Sequence, residues 1–450
     1  SHIVERLHLV SRDAAIRMIH YPHSHQEMQK AQVRLKFEEL FYVQLNILRY
    51  ASDQRRKYRG YVFNRIADIF NGFYADHLPF ELTGAQKRVM HEIRADMCSG
   101  RQMNRLLQGD VGSGKTLVAL MTMLIALDNG YQACMMAPTE ILAEQHLQTI
   151  CDFLQGMDIR VELLTGIVKG KKREKILADL ATGDIQILVG THAILEDPVV
   201  FRRLGVAVID EQHRFGVRQR GMLAEKAANP HLLVMSATPI PRTLGLLIYG
   251  ELDISILDEL PPGRKPVKTR CITGKKRRDL YGFLDREIGA GRQVYIVCPA
   301  IEDTPDGGLN AVKSYYEDIA KALLPDRRVG LMHGKLKPKE KAAVMDDFKA
   351  GRLDALVSTT VIEVGVDVPN ATVMVIENAE RYGLSALHQL RGRVGRGAAE
   401  SWCFLVSDNT AESVQKRLKF LCSTSDGFAV AQFDLETRGP GDFFGSRQHG

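Results

Sequence analysis

The segment Gly109-Asp110-Val111-Gly112-Ser113-Gly114-Lys115-Thr116 is a complete nucleotide-phosphate loop. Its glycines let successive backbone N–H groups point at phosphates, and the positive end of the following helix adds to the attraction. Residues 103–108 are predicted to form a short strand and residues 117–127 an apolar helix, which is the context that this loop requires. Lys115 is expected to reach the β- and γ-phosphates, and Thr116 to hold Mg²⁺ through its hydroxyl. The sequence therefore predicts a nucleotide site rather than a chance glycine-rich turn.

An arginine-rich motif, Gln389-Leu390-Arg391-Gly392-Arg393-Val394-Gly395-Arg396, lies far downstream. A phosphate loop alone indicates only that a chain binds a nucleotide. The two motifs together indicate two lobes that share one nucleotide, with arginines of the second lobe completing the site in the first. This layout is typical of nucleic-acid motors.

Two carboxylates, Asp210 and Glu211, follow the apolar run 205–209, which is predicted to be a buried parallel strand. Ligands of α/β sheets bind at the carboxyl ends of such strands. Asp210 is expected to bind Mg²⁺ through water, and Glu211 to orient or deprotonate the attacking water. An acidic pair alone is more often a solvated strand end, but the preceding phosphate loop favours the catalytic interpretation.

Composition indicates an ordinary globular chain of 450 residues, with 45% hydrophobic and 25% charged residues, and this length predicts two or three domains. A net charge of +6 is compatible with binding to phosphate backbones. The seven cysteines contain no C-x-x-C pair, and Cys134, Cys298 and Cys403 lie in apolar runs, so buried free thiols in a reducing cytoplasm are expected. No apolar run of membrane-spanning length and no signal peptide is seen, so no membrane partner is expected. The chain begins Ser1-His2 and stops at Gly450, and we expect it to be a fragment at both ends.

Two sets of strand-like runs alternate with amphipathic stretches. The predicted strands are 133–137, 185–189, 206–209 and 232–235 in the first set, and 293–298, 328–332, 353–357, 372–376 and 402–406 in the second. The alternation predicts an α/β fold of two tandem parallel-sheet lobes. The expected division is a helical N-terminal segment at 1–75, a first lobe at 76–258, a second lobe at 266–425 and a short helical and loop segment at 426–450, with a Pro/Gly-rich linker at 260–266.

The chain resembles superfamily-2 helicases, and among them the bacterial family of DNA branch-migration helicases. The two motifs above carry the resemblance together with segments 80–86, 137–146, 190–192, 210–217, 236–243 and 358–367. It implies two RecA-like lobes and an ATP-dependent double-stranded-DNA translocase that remodels stalled forks and Holliday junctions, with ATP and Mg²⁺ as cofactors. It also implies a cytoplasmic monomer whose partner is branched duplex DNA, with single-stranded-DNA-binding protein as a further candidate partner.

Several alternatives stay open at this point. The transcription-repair coupling translocase shares this motor, but the extension Arg214-Phe215-Gly216-Val217 and the tail Thr437-Arg438-Gly439-Pro440-Gly441 favour the branch-migration family. Nothing matches that family's N-terminal oligonucleotide-binding wedge, so the motor alone does not imply branch specificity. An RNA helicase is a further alternative. A nucleotide-binding scaffold without activity is disfavoured, because Lys115, Asp210, Glu211 and the arginines of the downstream motif are all present.

The resemblance assigns roles around the nucleotide. It implies that Gln86 reads the adenine edge and that Phe80 frames the base; from the residues alone, Phe80 would be a core residue and Gln86 a surface helix residue. Arg393 and Arg396 are implied to be arginine fingers, which stabilise charge in the transition state. The other implied nucleotide contacts are Gly365, Asp367 at the ribose, and Gln389 near the γ-phosphate. Arg391 lies between Gln389 and these two arginines, and a solvated helix charge is as good an interpretation of it as a role in the site.

The resemblance also places a nucleic-acid strand along the strand ends of both lobes, where hydroxyls and backbone amides contact phosphates without reading sequence. The residues implied in DNA contact or coupling are Thr139, Thr191, His192, His213, Ser236, Thr238, Thr360, Arg438 and Gln448. Ser236 and Thr238 are implied to couple hydrolysis to lobe closure, which is compatible with a turn capped by hydroxyls. Arg438 precedes Gly-Pro-Gly, a composition that suits a bent loop. The basic run 169–173 is interpreted as a solvated helix start, with a phosphate contact as the alternative.

Overall fold

The computed structural model describes residues 2–57, 59–78, 80–210, 222–223, 226–227, 229–240, 252–261, 265–299, 309–317, 324–359, 368–397 and 399–438. The chain divides into two compact units, residues 1–59 with 242–253, and residues 60–241 with 254–450. Over the described ranges, every helix is too short or too polar to cross a bilayer.

The first unit is helical, with α1 at His2–Arg6, α2 at Arg12–His20 and α3 at His25–Lys57. Ser11 begins α2 as its N-cap, because its side chain accepts a hydrogen bond from the Ala14 amide. Helix α2 packs against α3. Arg34 of α3 donates to the Val10 carbonyl and pairs with Glu38 one turn later at 2.7 Å. The predicted helical segment therefore holds for this stretch, but residues 59–67 form no helix.

The second unit begins with α4 and a π-helical turn and continues into a seven-stranded sheet. The elements are α4 Asp68–Gly72, the π-turn Phe73–His77, α5 Gly84–Cys98, β1 Asn104–Gly109, α6 Lys115–Asp128, β2 Gln132–Met136, α7 Glu140–Phe153, β3 Val161–Leu164, α8 Gly170–Thr182, β4 Ile187–Gly190, β5 Leu204–Ile209, β6 His231–Ser236 and β7 Asp253–Leu257. The strand order is β3-β4-β2-β5-β6-β1-β7, and the pairs among the first six are parallel. The five predicted strands of this lobe, with 103–108 among them, are confirmed; β3 and β7 were not predicted.

A six-stranded sheet follows. Its elements are β8 Lys268–Ile272, α9 Arg277–Gly289, β9 Gln293–Cys298, α10 Leu309–Tyr315, β10 Val329–Met332, α11 Pro338–Lys349, β11 Ala355–Thr359, β12 Ala371–Ile376, α12 Leu384–Arg391, β13 Trp402–Val406, α13 Glu412–Ser423 and α14 Gly427–Arg438. The order is β10-β11-β9-β12-β13-β8, and every pair is parallel. The five predicted strands are confirmed, as are the two tandem parallel-sheet lobes, and only β8 was missed.

The central strands are apolar on both faces because helices cover both sides of a parallel sheet. Strands β2, β5 and β9 are buried at every residue, and the expected burial of Cys134, Cys298 and Cys403 is confirmed. Helix α6 is buried from Leu117 to Asp128, so the helix that begins at the phosphate loop runs through the core of its lobe.

Asp128, the last residue of α6, caps the N-terminus of α4. Its carboxylate accepts hydrogen bonds from the amides of Ala67 at 2.8 Å, Ile69 at 3.0 Å and Phe70 at 3.1 Å. These amides are donors that a helix start leaves without intrahelical partners, and a carboxylate also suits the positive end of the helix dipole. The far end of α6 is thereby fixed to the segment that enters the lobe.

Helices α13 and α14 form a hairpin behind the second sheet. Phe420 and Phe433 stack across it, with ring centroids 3.9 Å apart and planes 7° from parallel. Arg438 is the last residue of α14. The Gly439-Pro440-Gly441 sequence, for which a bent loop is predicted, lies with the rest of residues 439–450 outside the described residues.

Candidate nucleotide site between the two lobes

The phosphate loop joins β1 to α6 as predicted. Gly112 and Gly114 adopt φ of 80° and 87°, a left-handed conformation that favours glycine, and α6 begins directly after Gly114. The Lys115 ammonium donates to the carbonyls of Gly109 at 2.6 Å and Asp110 at 2.9 Å. The lysine charge is therefore held over the loop, beside the first amides of α6.

Gln86 supports this loop from α5. Its side chain accepts from the Thr83 amide in a capping box, and its Nε2 donates to the Ser113 carbonyl at 3.1 Å. A Cβ at position 114 would lie 2.2 Å from that Nε2, so only glycine fits there. Gln86 is fully buried, which corrects the surface position that its residue type alone predicted. Phe80 is 39% exposed, which likewise corrects the prediction of a core residue.

Asp210 lies directly after β5, buried beside α7. Its amide donates to the Met136 carbonyl at 2.9 Å, and its Oδ2 lies 2.7 Å from His146 Nε2. Because a carboxylate only accepts, the imidazole donates through Nε2. His146 therefore fixes the orientation of the carboxylate. Sequence reasoning did not select His146, although it ends the segment 137–146 that carried the family resemblance.

The donor set for a metal is one hydroxyl, from Thr116, and one carboxylate, from Asp210. Over the described residues, no cluster of three or more His, Cys, Asp or Glu side chains could hold a metal by itself. Hard oxygen donors in small number suit Mg²⁺, which is usually held by one or two protein oxygens together with nucleotide phosphates. The residues present therefore fit Mg²⁺ bound with a nucleotide.

The second lobe covers the phosphate loop. A Cβ at position 392 would lie 3.2 Å from the Val111 Cβ, so the turn after α12 contacts the loop itself. Arg393 and Arg396 lie half-buried on this turn and the residues after it. The side chain of Gln389 donates from Nε2 to the Thr238 hydroxyl. The structure therefore brings the arginine-rich motif against the nucleotide loop, as the sequence predicted.

Asp110 of the loop is held from the second lobe. Its Oδ1 lies 2.8 Å from His388 Nε2, and its Oδ2 accepts from the Gly427 amide at 3.3 Å. Burial, the largest single influence, raises the pKa of Asp110, but the interactions with His388, the Gly427 amide and Lys115 together outweigh burial, so that the pKa is lowered overall. The loop carboxylate is thus kept ionised at a contact between lobes.

Arg391 is buried and is not a solvated helix charge, which corrects that alternative. Its guanidinium donates to the carbonyls of Leu421 at 2.8 Å and Thr424 at 2.6 Å, and to His388 Nδ1 at 2.6 Å. The helix of the arginine-rich motif is thereby attached to the α13–α14 hairpin. His388 and Gly427 were not selected from the sequence; the available signal was that His388 directly precedes the motif.

The residues implied in DNA contact occupy varied positions. Thr139 is the N-cap of α7 and accepts from the Leu142 amide at 3.3 Å; Thr191 is buried after β4, and His192 is exposed. The Ser236 hydroxyl accepts from the Thr238 amide at 3.2 Å, as a capped turn requires. The basic run 169–173 does begin a helix, α8. Outside the described residues lie Glu211, His213, Thr360, Gly365, Asp367 and Gln448, and nothing is described of the Arg438 side chain.

Comparison with known proteins identifies both lobes. The DEAD/DEAH box helicase family matches residues 83–246, and the helicase conserved C-terminal domain matches residues 275–398. Proteins described as ATP-dependent DNA helicase RecG are 49% identical in Synechocystis sp., 46% in Thermotoga maritima and 46% in Bacillus subtilis, over 100%, 100% and 97% of this chain. The chain belongs to the RecG family of helicases. It spans 54%, 57% and 64% of the lengths of these three RecG relatives.

Solved structures agree with this assignment. A RecG bound to a three-way DNA junction superposes with a TM-score of 0.84 at 44% identity, covering 98% of this chain and 58% of that one. Dbp5 of S. cerevisiae bound to RNA and ADP BeF3 superposes with a TM-score of 0.58 at 17% identity, covering 84% of this chain and 98% of that one. The second likeness shows only that the two-lobed fold is shared.

Proposed function

We propose that this chain is the ATP-driven motor of a double-stranded-DNA translocase that remodels stalled forks and Holliday junctions by branch migration. The support comes from relatives described as ATP-dependent DNA helicases and from a RecG structure bound to a three-way junction. Because the chain spans about half to two thirds of those relatives, junction recognition is proposed for a longer protein that contains this motor.

One observation carries the motor assignment, which is that the nucleotide loop is contacted from the second lobe. Asp110 meets His388, and Val111 meets the turn at Gly392. A hydrolysis site built from two lobes changes its contacts when the nucleotide changes, so lobe closure can follow the ATP cycle. A nucleotide-binding scaffold has no need of a site divided in this way.

The proposed chemistry distributes roles over both lobes. Lys115 neutralises charge on the β- and γ-phosphates, while Arg393 and Arg396 stabilise charge that develops during transfer. Mg²⁺, held by Thr116 and Asp210, would supply further charge neutralisation between the phosphates. Glu211 as the group that orients water is proposed on the motif alone. Five further placements are likewise proposed on the motifs alone. They are Gln86 and Phe80 at the base, Gly365 and Asp367 near the ribose, and Gln389 near the γ-phosphate.

The proposed DNA path follows the carboxyl ends of the strands. Thr139 and Thr191 follow β2 and β4 at the same edge of the first sheet, where hydroxyls and amides contact backbone phosphates. His213, Thr360, Arg438 and Gln448 are proposed to contact DNA or couple its movement. We further propose that the protein is a cytoplasmic monomer that works beside single-stranded-DNA-binding protein. The proposed domain division is a helical segment at 1–75, a first lobe at 76–258, a second lobe at 266–425 and a C-terminal segment at 426–450.

The test is an ATPase assay of this chain with duplex DNA, model forks and RNA. We expect DNA to stimulate hydrolysis more than RNA does, with a stimulation that declines as salt rises because phosphate contacts supply the affinity. Equal stimulation by RNA would favour the RNA-helicase alternative, and the absence of hydrolysis would favour the scaffold.

Lys115→Ala should abolish ATP turnover, while Lys349→Ala, at an exposed lysine, should not. The chain alone should prefer forks over plain duplex only weakly; fork dissociation equal to that of a full-length RecG would show that no further branch-binding region is needed.

A further inference from the structure

We propose that His388 is a positioning residue that ties the phosphate loop to the α13–α14 hairpin, so that DNA stimulation of ATP hydrolysis passes through it. The inference rests on the proposed function, since it names how that motor would sense DNA. It is carried by a buried ring of hydrogen bonds that joins the loop, α12 and the hairpin.

The imidazole of His388 has one arrangement that fits its neighbours. Arg391 can only donate, so His388 Nδ1, 2.6 Å from the guanidinium, must be the acceptor. The proton therefore lies on Nε2, which donates to Asp110 Oδ1 at 2.8 Å. A side chain at this position must accept on one side and donate on the other, and alanine can do neither.

The ring closes through the hairpin turn. Arg391 donates to the carbonyls of Leu421 and Thr424 where α13 ends, and the Gly427 amide at the start of α14 donates to Asp110 Oδ2. Asp110, His388 and Arg391 are all largely buried, so water does not readily replace these bonds. The turn at 424–427 therefore cannot shift relative to the phosphate loop without breaking part of the ring.

Gly427 shows how closely these parts approach. A Cβ at this position would lie 2.1 Å from Asp110 Oδ1, 2.6 Å from His388 Nε2 and 2.6 Å from Pro239 Cγ. One backbone position thus contacts the loop, the helix of the arginine-rich motif and the turn that contains Thr238. From Gly427, α14 runs without interruption to Arg438, the residue proposed to contact DNA or couple its movement.

The experiment measures kcat and KM for ATP in this chain, with and without duplex DNA, for His388→Ala, His388→Gln and Gly427→Ala. For His388→Ala we expect DNA-stimulated kcat to fall about tenfold or more, since a hydrogen bond to a charged group is lost. The ratio of DNA-stimulated to DNA-free kcat should fall with it, because the DNA-free rate is expected to fall less than the stimulated rate. His388→Gln should recover most of the stimulation, because an amide can accept and donate at once. Gly427→Ala should lose stimulation by pushing the hairpin away, and the double variant with His388→Ala should be no worse than either single one.

Matched controls are His91→Ala, an exposed helical histidine, and Gly282→Ala, where a Cβ meets no atom within 4 Å. Full stimulation in His388→Ala or in Gly427→Ala would overturn the inference and leave the motor assignment intact. A proportional loss of DNA-free and DNA-stimulated rates in both His388 variants would also overturn it, because it would indicate a structural role. Wild-type chain that no DNA stimulates would instead overturn the proposed function.

Discussion

Gln389 and Thr238 are joined by a hydrogen bond that crosses from the second lobe to the first, from the amide Nε2 to the hydroxyl Oγ1. The Thr238 amide in turn donates to the Ser236 hydroxyl at 3.2 Å, where β6 ends. The turn at 236–238 is therefore held by β6 on one side and by α12 on the other, and any separation of the lobes must break this bond.

Loss of this bond should weaken hydrolysis more than nucleotide binding. Thr238→Val removes the hydroxyl and keeps the shape, and Gln389→Ala removes the donor. In a double-mutant cycle on kcat, we expect a coupling of about 1 kcal/mol, since each variant removes the same hydrogen bond. Thr182→Val, which alters an exposed hydroxyl, is the control. Additive effects of the two variants would show that the bond has no role in turnover.

Removal of an arginine finger should separate binding from hydrolysis. Arg393→Ala and Arg396→Ala should retain ATP binding, because the phosphate loop supplies most contacts, while kcat falls by about 10³ or more. Single-turnover hydrolysis and binding of a fluorescent nucleotide measure the two properties separately. Arg352→Ala, at a largely exposed arginine paired with Asp347, is the matched control. Equal losses of binding and hydrolysis would contradict the finger role.

His146 should matter through the metal. His146→Ala leaves the Asp210 carboxylate without its imidazole donor, and partners of a metal-binding carboxylate typically contribute about 10- to 100-fold to metal affinity or activity. We expect the Mg²⁺ concentration for half-maximal ATPase to rise by a factor in that range, and His146→Gln to recover part of the loss. An unchanged Mg²⁺ titration would show that His146 serves packing alone.

Stability should fall in mild acid because of His231. This side chain accepts from the Met103 amide at Nδ1 and donates to the Tyr61 carbonyl from Nε2, and burial lowers its pKa from 6.5 to about 4 despite the second bond. Since the unfolded chain binds the proton first, stability is lost as pH falls from about 6.5 to about 4, by roughly 3 kcal/mol in all. Urea unfolding followed by circular dichroism at pH 7, 5.5 and 4.5 measures the slope. His231→Asn should flatten the slope and His91→Gln should not; a wild-type slope in His231→Asn would refute the assignment.

Arg438 tests coupling rather than chemistry. It ends α14, far in the chain from every nucleotide motif except the arginine-rich one. In a full-length RecG that carries this motor, Arg438→Ala should keep much of its DNA-stimulated ATPase but lose junction unwinding. ATPase rates and unwinding of a fluorescent Holliday junction are compared in one preparation. Proportional losses would indicate a role in catalysis or folding instead.

Sequence patterns predicted the strands that are buried on both faces, because these are continuous apolar runs. Strands β9 and β13 match the prediction residue for residue. Strands β3, β7 and β8 were missed; they lie at sheet edges, where half-buried side chains or exposed ones such as Lys268 and Arg270 break the apolar run. The edge strand β10 was predicted nonetheless, so local hydrophobicity determines the sheet centres and leaves most, but not all, of the edge strands undefined.

Sequence motifs predicted the parts of the nucleotide site that lie within the motifs themselves. The phosphate loop and the arginine-rich motif were expected to meet, and the contact between Val111 and the turn at Gly392 shows that they do. The bonds from Asp110 to His388 and Gly427 join residues hundreds of positions apart, and no local pattern encodes such a pairing. For Arg391 a solvated helix charge was an open alternative; the carbonyls of Leu421 and Thr424 and the imidazole of His388, one turn earlier in the same helix, accept its hydrogen bonds and rule that alternative out.

Helix α6 carries its most consequential polar contacts at its two ends. The loop amides and Lys115 lie at the N-terminal end. At the C-terminal end, about 20 Å away by the rise of 14 helical residues, the Asp128 carboxylate accepts hydrogen bonds from the backbone of residues 67–70. A force applied to the chain where it enters this lobe would thus be transmitted along α6 to the phosphate loop without passing through the sheet. A displacement of residues 67–70 would therefore change the affinity of the phosphate loop for nucleotide.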